Sequence, residues 1–575
     1  MNPKWILRDA YKTFTADQDK VAAPQETVAN VRRRFARQNL AVLAKTARID
    51  TGRLDIPVYV SVCGPDARAL TGTAKQMGKG ATPAQAEASA VMELVERFSF
   101  YSFAADPANF VEATRPEMGK SALPFEAIAA SVHDGSEDLE AAARVFDTIP
   151  FKWAMGANLT RGHDVRVPFE WFFAINEFNG TSAGNCLEEA LCQGICEIVE
   201  RHVSARICRE QIPVPGIDPA SATEPMVLEM LEKYKKNGIR VFLSDFSLDT
   251  GIATVGALAF DPETFPHKSE IVWTAGTAPN PEKALSRALA ETAQLAGDFH
   301  TGSNYVASGL PKPGDPADVA HITEPGMIKN ITDLPDISDN NIGKEVRRCI
   351  SALKQQNLDV ITMDTTHPGL GVCALYSVVP GARFRERAAA GTVGMFCARL
   401  ITEKSDPHEA AQRLAQMDAM MPGKYYVQFY LGKTRMELGE TEAAIALFQS
   451  ALALDPHAQD VASIYSYMAQ ALKDAGDYDN ALQSAEKGLE WDHERTDLHN
   501  LAGFCHFKKK DHEAAVDSFS RVIALNPASG IDHANLAVNY REMGDRDAAI
   551  RFFRIALDLD PSLEFARQHL EALRK

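Results

Sequence analysis

The chain of 575 residues lacks several features that would assign it to a common class of protein. No apolar run approaches the ~20 residues that a membrane-spanning helix needs. The N-terminal residues contain no long apolar core before a small-residue cleavage site, so no signal peptide is expected. The nine cysteines are scattered and suggest no disulfide framework. These absences favour a cytoplasmic protein that does not enter a membrane.

An excess of positive charge is lacking as well. Lys and Arg together number 60, against 77 Asp and Glu, and the formal net charge is −17. Because nucleic-acid affinity depends on neutralising phosphates, this balance argues against general nucleic-acid binding.

Familiar catalytic signatures are also missing. The segment GTAKQMGKGAT (72–82) is close to a phosphate-binding loop, but its spacing is one residue too long. In addition, Gly80 occupies the position where Ser or Thr would hold Mg²⁺. Cys192 and Cys196 lie one helical turn apart without a Cys-x-x-Cys motif, which favours small core residues over a metal site. There is no Gly-x-Ser-x-Gly elbow.

What the chain does have is a repeat in its last third. Four similar segments place a turn residue at Gly439, Gly476, Lys510 and Gly544, with periods of 37, 34 and 34 residues. A period near 34 resembles tetratricopeptide repeats, in which each helix-turn-helix unit buries its apolar face on its neighbour. We therefore predict an all-α solenoid of about four repeats at 422–575, after a helical connector at 403–421. The array predicts docking of a protein partner.

Residues 1–402 have a different texture. Short β-rich runs alternate with long helical patterns, which is typical of an α+β domain with mixed sheets and helices. The runs cover residues 56–64, 165–173, 238–246, 254–260, 358–366 and 373–381.

Two segments of this domain repeat the pattern Glu-apolar-Val-Glu-Arg, namely MELVERF (92–98) and CEIVERH (196–202). Helices are expected here, with Thr82 and Asn185 as N-terminal caps. Residues three apart share a helix face, so each copy presents two carboxylates on one side. Glu189 lies eleven residues before Glu200 and falls on nearly the same side.

Glu and Arg on a helix usually face solvent, but apolar and small neighbours predict that these helices are buried. Buried carboxylates without partners are costly, so the two faces predict bound cations. Oxygen ligands favour Mg²⁺ or Ca²⁺, and Mg²⁺ in turn favours a phosphate substrate. The residues alone therefore predict a carboxylate site that holds metal ions and a nucleotide between two helices.

Two longer stretches, GKGATPAQAEASAVMELVERFSFY and NGTSAGNCLEEALCQGICEIVERHVSARI, resemble the YcaO family. A third family-like segment is PEKALSRALAETAQ (281–294). The resemblance implies ATP and Mg²⁺ as cofactors, with Mg²⁺ held by Glu93, Glu96, Glu197 and Glu200. It implies nucleotide contacts from Lys12, Ser89, Asn185, Glu189, Arg201, Arg287, Glu291 and Gln294.

The resemblance also implies a reaction. Members of the family phosphorylate a peptide-backbone amide oxygen, so that a nucleophile can replace it. The alternating-Pro C-terminus of azoline-forming peptide cyclodehydratases is absent, because the chain has repeats there. An accessory role in ribosomal-protein methylthiolation, or thioamide formation, is therefore ranked above azoline formation. A protein or peptide substrate and a homodimer are expected.

Two other functions remain open from the sequence. One is a nucleotide-binding adaptor without catalysis, which acts through its repeats. The other is a metal-dependent phosphohydrolase that uses the same carboxylates without a protein acceptor.

Overall fold

The computed structural model describes residues 2–302, 305, 310–384, 391–527 and 529–574. The chain separates into two compact units, the first formed by Met1–Gly135 and Asp147–Thr392 and the second by Ser136–Phe146 and Val393–Lys575. Among the described residues, no helix is both long and apolar enough to cross a bilayer. The boundaries at 402 and 421 stay a prediction.

Fourteen strands are described, all in the first unit. They are β1 (Leu43–Arg48), β2 (Val58–Cys63), β3 (Lys75–Lys79), β4 (Phe110–Ala113), β5 (Phe151–Asn158), β6 (His163–Pro168), β7 (Thr181–Gly184), β8 (Gly216–Ile217), β9 (Arg240–Asp245), β10 (Thr254–Phe260), β11 (Val272–Thr277), β12 (Ile328–Lys329), β13 (Ile361–Asp364) and β14 (Cys373–Val378).

Eleven of the twelve α-helices described before residue 356 belong to the first unit. They are α1 (Pro24–Arg37), α2 (Pro65–Thr71), α3 (Pro83–Ala105), α4 (Arg115–Met118), α5 (Phe125–Ser131), α6 (Leu139–Phe146, which belongs to the second unit), α7 (Phe169–Asn176), α8 (Leu187–Glu210), α9 (Pro225–Lys236), α10 (Pro281–Ala296), α11 (Ala320–Thr323) and α12 (Ile342–Gln355).

The strands form three sheets. The first has the order β1-β2-β3 and is antiparallel. The second has the order β11-β10-β9-β8-β12, in which only β8 and β12 run parallel. The third has the order β4-β5-β13-β14-β7, with β6 paired to β5. The predicted α+β class with mixed sheets is confirmed.

One predicted β-rich run is only half strand. Residues 165–173 begin as β6, but the strand ends at Pro168 and α7 follows at once. Proline cannot donate a backbone hydrogen bond to a sheet, and it suits the start of a helix. The helix brings Phe169 and Phe173 onto the ring of Phe100, at centroid distances of 5.5 Å each. Helical spacing, rather than alternation, lets both rings reach the same partner.

The second unit is helical throughout its described residues. After α6, its helices are α13 (Val393–Lys404), α14 (Pro407–Met420), α15 (Tyr425–Glu437), α16 (Thr441–Ala453), α17 (Ala458–Asp474), α18 (Tyr478–Trp491), α19 (Thr496–Lys508), α20 (His512–Leu525), α21 (Gly530–Glu542), α22 (Arg546–Leu559) and α23 (Glu564–Arg574).

Helices α15 to α22 form four helix-turn-helix pairs, as the repeat pattern predicts. The turn residues Gly439, Gly476, Lys510 and Gly544 all have positive φ, between 65° and 83°. Glycine adopts this left-handed conformation without steric cost. Lys510 adopts the same conformation, although it is the one turn residue of the four that carries a side chain. Helix α14 lies within the predicted connector at 403–421, and its role as a connector stays a prediction.

A hydrogen bond recurs between successive repeats. In each case an Asp near the start of a repeat accepts from a side chain of the repeat before it. The pairs are Tyr425 Oη to Asp460 at 2.6 Å, Ser466 Oγ to Asp497 at 2.7 Å and Asn500 Nδ2 to Asp532 at 2.5 Å. These bonds add specificity to apolar stacking, which is otherwise supplied mostly by buried alanines and phenylalanines.

Candidate nucleotide and metal site

Three helices of the first unit border a cavity of about 290 Å³. Helix α3 begins after Thr82, whose side chain accepts from the Gln85 backbone N–H, so this predicted cap is confirmed. Helix α10 begins after Asn280, which accepts from two backbone N–H groups. Helix α8 begins after Cys186 instead of the predicted cap Asn185. The Asn185 side chain instead donates to Glu189 Oε1 at 3.0 Å.

Eleven of the twelve predicted site residues line this one cavity. They are Ser89, Glu93 and Glu96 from α3; Asn185, Glu189, Glu197, Glu200 and Arg201 from α8 and the residue before it; and Arg287, Glu291 and Gln294 from α10. The helical spacing inferred from the sequence accounts for this convergence, because each set occupies one side of its helix. Their contacts with ATP or Mg²⁺ stay predictions.

Lys12 is the residue that the structure places elsewhere. Its ammonium contacts Asp19 at 2.7 Å and Glu345 at 2.6 Å, outside the residues that line the cavity. Burial opposes the charged form of Lys12, but the hydrogen bonds to both carboxylates outweigh it and raise its pKa. These contacts hold the N-terminal segment in place. Two residues of that segment, Gln18 and Lys20, line the cavity.

The carboxylates of α3 contact an arginine of the same helix. Arg97 lies 3.3 Å from Glu96 and 3.8 Å from Glu93, and it also donates to Thr181 Oγ1 at 3.0 Å. Thr181 in turn donates to Glu96 at 2.6 Å. The guanidinium stacks over the Phe178 ring at 4.2 Å, which fixes its position beside the acids.

Burial dominates the protonation of these acids. It raises the pKa of Glu93 and of Glu96, although the nearby Arg97 opposes the shift. Burial raises the pKa of Glu197 to about 7, against the opposing charge of Arg201. Each carboxylate would therefore be stabilised by an additional cation. As their side chains stand, no three acidic, His or Cys residues in the described part of the chain converge into a metal-binding group.

Cationic and amide groups face the same space. Arg287 donates to Gln193 Oε1 at 2.9 Å, and Lys79 forms an ion pair with Glu291. Burial, followed by the charge of Arg287, lowers the pKa of Lys79 to about 8. The cavity thus combines oxygen acceptors suited to Mg²⁺ with cations suited to phosphate.

Three buried atoms of the cavity wall make no hydrogen bond within the described residues. They are Gln85 Oε1, Arg287 Nε and Gln294 Oε1. Buried polar atoms without partners are uncommon in native proteins and often indicate a ligand or an ordered water. Two acceptors and one guanidinium donor fit a polar ligand that carries both donors and anionic oxygens, as ATP does.

The sequence did not assign several residues that line the cavity. Lys79 lies in the segment rejected as a phosphate loop, which forms strand β3. Arg97 ends the first Glu-apolar-Val-Glu-Arg copy, but the sequence alone predicts no role for it. Gln18 and Lys20 carry no recognisable motif, and only the fold brings them close to α8, where Lys20 lies 3.7 Å from Glu189.

A profile of the family described as YcaO cyclodehydratase, ATP- and Mg²⁺-binding, matches residues 77–383, which is more than half of the chain. The chain belongs to the YcaO family. Tetratricopeptide-repeat profiles match residues 402–471, 435–503, 496–529 and 533–566. Both expectations about family and repeats are confirmed.

Among curated relatives, an uncharacterized protein of Methanothermobacter thermautotrophicus is 28% identical over 53% of this chain and 80% of its own length. An uncharacterized protein in the tfuA 3′ region of Rhizobium leguminosarum is 24% identical over 63% of this chain and 88% of its own. The ribosomal protein S12 methylthiotransferase accessory factor YcaO of Escherichia coli is 28% identical, over 39% of this chain and 40% of its own length.

The solved structures that resemble the chain include two of known ligand state. YcaO from Methanopyrus kandleri, bound with AMPPCP and Mg²⁺, has a TM-score of 0.50 and 25% identity over 65% of this chain and 94% of its own. A heterocyclase in complex with substrate and cofactor has a TM-score of 0.53 at 23% identity, over 66% of this chain and 54% of its own, and it shares the fold.

Proposed function

We propose that this YcaO protein uses ATP and Mg²⁺ to activate a backbone amide of a protein or peptide substrate. The observation that carries the proposal is the convergence of eleven predicted residues from α3, α8 and α10 on one cavity. The family description and the AMPPCP- and Mg²⁺-bound relative support the choice of cofactors.

The proposed reaction transfers the γ-phosphoryl group of ATP to the amide oxygen and then replaces that oxygen with a nucleophile. The amide oxygen attacks the γ-phosphorus of ATP, and the bond to the ADP oxygen breaks. A nucleophile then adds to the amide carbon, and phosphate leaves with the former amide oxygen. Bound Mg²⁺ would neutralise charge on the transferring phosphoryl group.

The residues of the cavity fit these demands. Glu93, Glu96, Glu197 and Glu200 would hold Mg²⁺, since burial already makes a further cation favourable for three of them. Arg201 and Arg287 would contact phosphate, and amide and hydroxyl groups such as those of Gln294 and Ser89 would orient the nucleotide. Fixed charges in a concave site stabilise a transition state without reorganisation.

The tetratricopeptide repeats would recruit the protein substrate, a sulfur-handling partner or a second copy of the chain. This role favours thioamide formation or an accessory function in ribosomal-protein methylthiolation. The second of these is the function in the name of the E. coli relative. Azoline formation, adaptor function and simple phosphohydrolysis are the competing proposals.

One experiment separates amide activation from adaptor function and from simple phosphohydrolysis. The full chain is incubated with ATP and Mg²⁺ in ¹⁸O-labelled water, alone and with the soluble proteins of its host cells, and ADP and phosphate are analysed. Amide activation predicts that ADP release depends on the added protein. It also predicts that the released phosphate carries no ¹⁸O from the water. A phosphohydrolase would release labelled phosphate without an acceptor, and an adaptor would release neither product. Glu197→Gln serves as the control for contaminating ATPases and should remove the activity.

A further inference from the structure

A lysine outside the three helices reaches the cavity from strand β3. Lys79 ends this strand and lies between Gly78 and Gly80, whose Cα atoms pack directly against α3. A Cβ at Gly78 would lie 2.0 Å from the Ala90 backbone nitrogen, and one at Gly80 would lie 2.7 Å from Gln85 Cγ. This close packing fixes the backbone on both sides of Lys79 beside the cavity.

The ammonium of Lys79 forms its ion pair with Glu291 on α10. The Lys79 side chain is 29% exposed and that of Glu291 is 19% exposed, so the pair borders open space instead of lying in the core. Both residues line the cavity. The pair therefore joins the strand beside α3 to the helix opposite it, across the space where the nucleotide is proposed to bind.

Charged groups of both signs surround this pair. The positive charges of Arg287 and Arg201 lower the pKa of Lys79. The negative charges of Glu93 and Glu200 raise it. Lys79, Arg201 and Arg287 all line the one cavity, so a ligand with several negative charges can contact more than one of these cations. A polyphosphate meets this requirement, because it offers more oxygens and more charge than the single carboxylate of Glu291.

We propose that Lys79 is a phosphate-binding residue of this site, and that its ion pair with Glu291 holds it in position until nucleotide phosphates replace the carboxylate. The inference rests on the proposed function, since it requires a nucleotide in the cavity. Lys79 would make the site selective for nucleoside polyphosphates over AMP, although this residue does not lie on the Glu-rich helices.

The test compares ligands that differ only in phosphate number. Dissociation constants for AMP, ADP and ATP are measured by calorimetry on the wild type, on Lys79→Gln and on Lys75→Gln. Lys75 lies on the same strand and is exposed, so it is the matched control. Lys79→Gln should weaken ATP by about 10- to 100-fold and AMP by much less, because a bond between two charged groups is lost. Lys75→Gln should bind all three ligands like the wild type.

A second measurement needs no variant. Reductive methylation of the wild-type protein, followed by mass spectrometry, reports the accessibility of each lysine. ATP should protect Lys79 more than AMP does, while Lys75 should react equally with both. An unchanged ATP-to-AMP preference in Lys79→Gln, or equal protection by both ligands, would overturn this inference alone. Failure of the wild type to bind ATP would instead overturn the proposed function.

Discussion

The contact between strand β3 and helix α3 yields a prediction that links packing to ligand binding. In Gly78→Ala, the new methyl group would lie 2.0 Å from Ala90 N and 2.6 Å from Ala86 O, both backbone atoms. Real Cβ contacts essentially never fall below 3.0 Å, so the strand must move away from the helix by about 1 Å. Overpacking of this kind costs about 1–3 kcal/mol of stability.

The same displacement should affect the cavity, because β3 carries Lys79 and α3 carries Ser89 and the two glutamates. We expect ATP affinity to fall by about tenfold, which equals about 1.4 kcal/mol, the order of one charge-assisted hydrogen bond. Urea denaturation and calorimetry measure the two effects. Gly135→Ala is the control, since its Cβ would meet nothing within 4 Å. If Gly78→Ala matched this control in both assays, the described β3–α3 contact would be wrong.

Two further predictions concern the repeats. Phe448→Ala should lower the free energy of unfolding of the repeat unit by about 3–5 kcal/mol, because the fully buried ring leaves a cavity; the exposed Leu559→Ala should change it little in the same denaturation assay. Burial opposes the charge of Asp497, but hydrogen bonds from Arg495 and Ser466 outweigh it and lower its pKa below 3.8. Its stabilising contribution is present above that pH and is lost as the pH falls through the lowered pKa, so Asp497→Asn should reduce the acid sensitivity seen by circular dichroism.

Much of the fold could be predicted because its signals are local. The positive φ of Gly439 and Gly544 follows from a turn glycine at a fixed period, and Thr82 caps its helix as residues next to it indicate. The prediction of a strand over 165–173 was wrong beyond Pro168, which lies inside an otherwise β-rich pattern. The tertiary contacts of Phe169 favour a helix there. Local propensity cannot register such contacts.

The candidate site was predictable where one helix holds several of its residues. Spacing alone places Glu93 and Glu96 together, and likewise the acids of α8. It could not reveal Lys79, which reaches Glu291 only because two glycines allow β3 to pack against α3. The same limit applies to Lys12, whose partners, Asp19 and the buried Glu345, are separated from each other by more than 300 residues.

The most direct test of the central claim is calorimetric binding of ATP in the presence of Mg²⁺. Wild-type protein should bind with micromolar affinity, about −8 kcal/mol, and chelation of Mg²⁺ should weaken the binding. Glu197→Ala should abolish it, whereas Glu210→Ala, at the exposed end of the same helix, should bind like the wild type. Absence of binding by the wild type, or unchanged binding by Glu197→Ala, would contradict a nucleotide site between the two Glu-Arg helices.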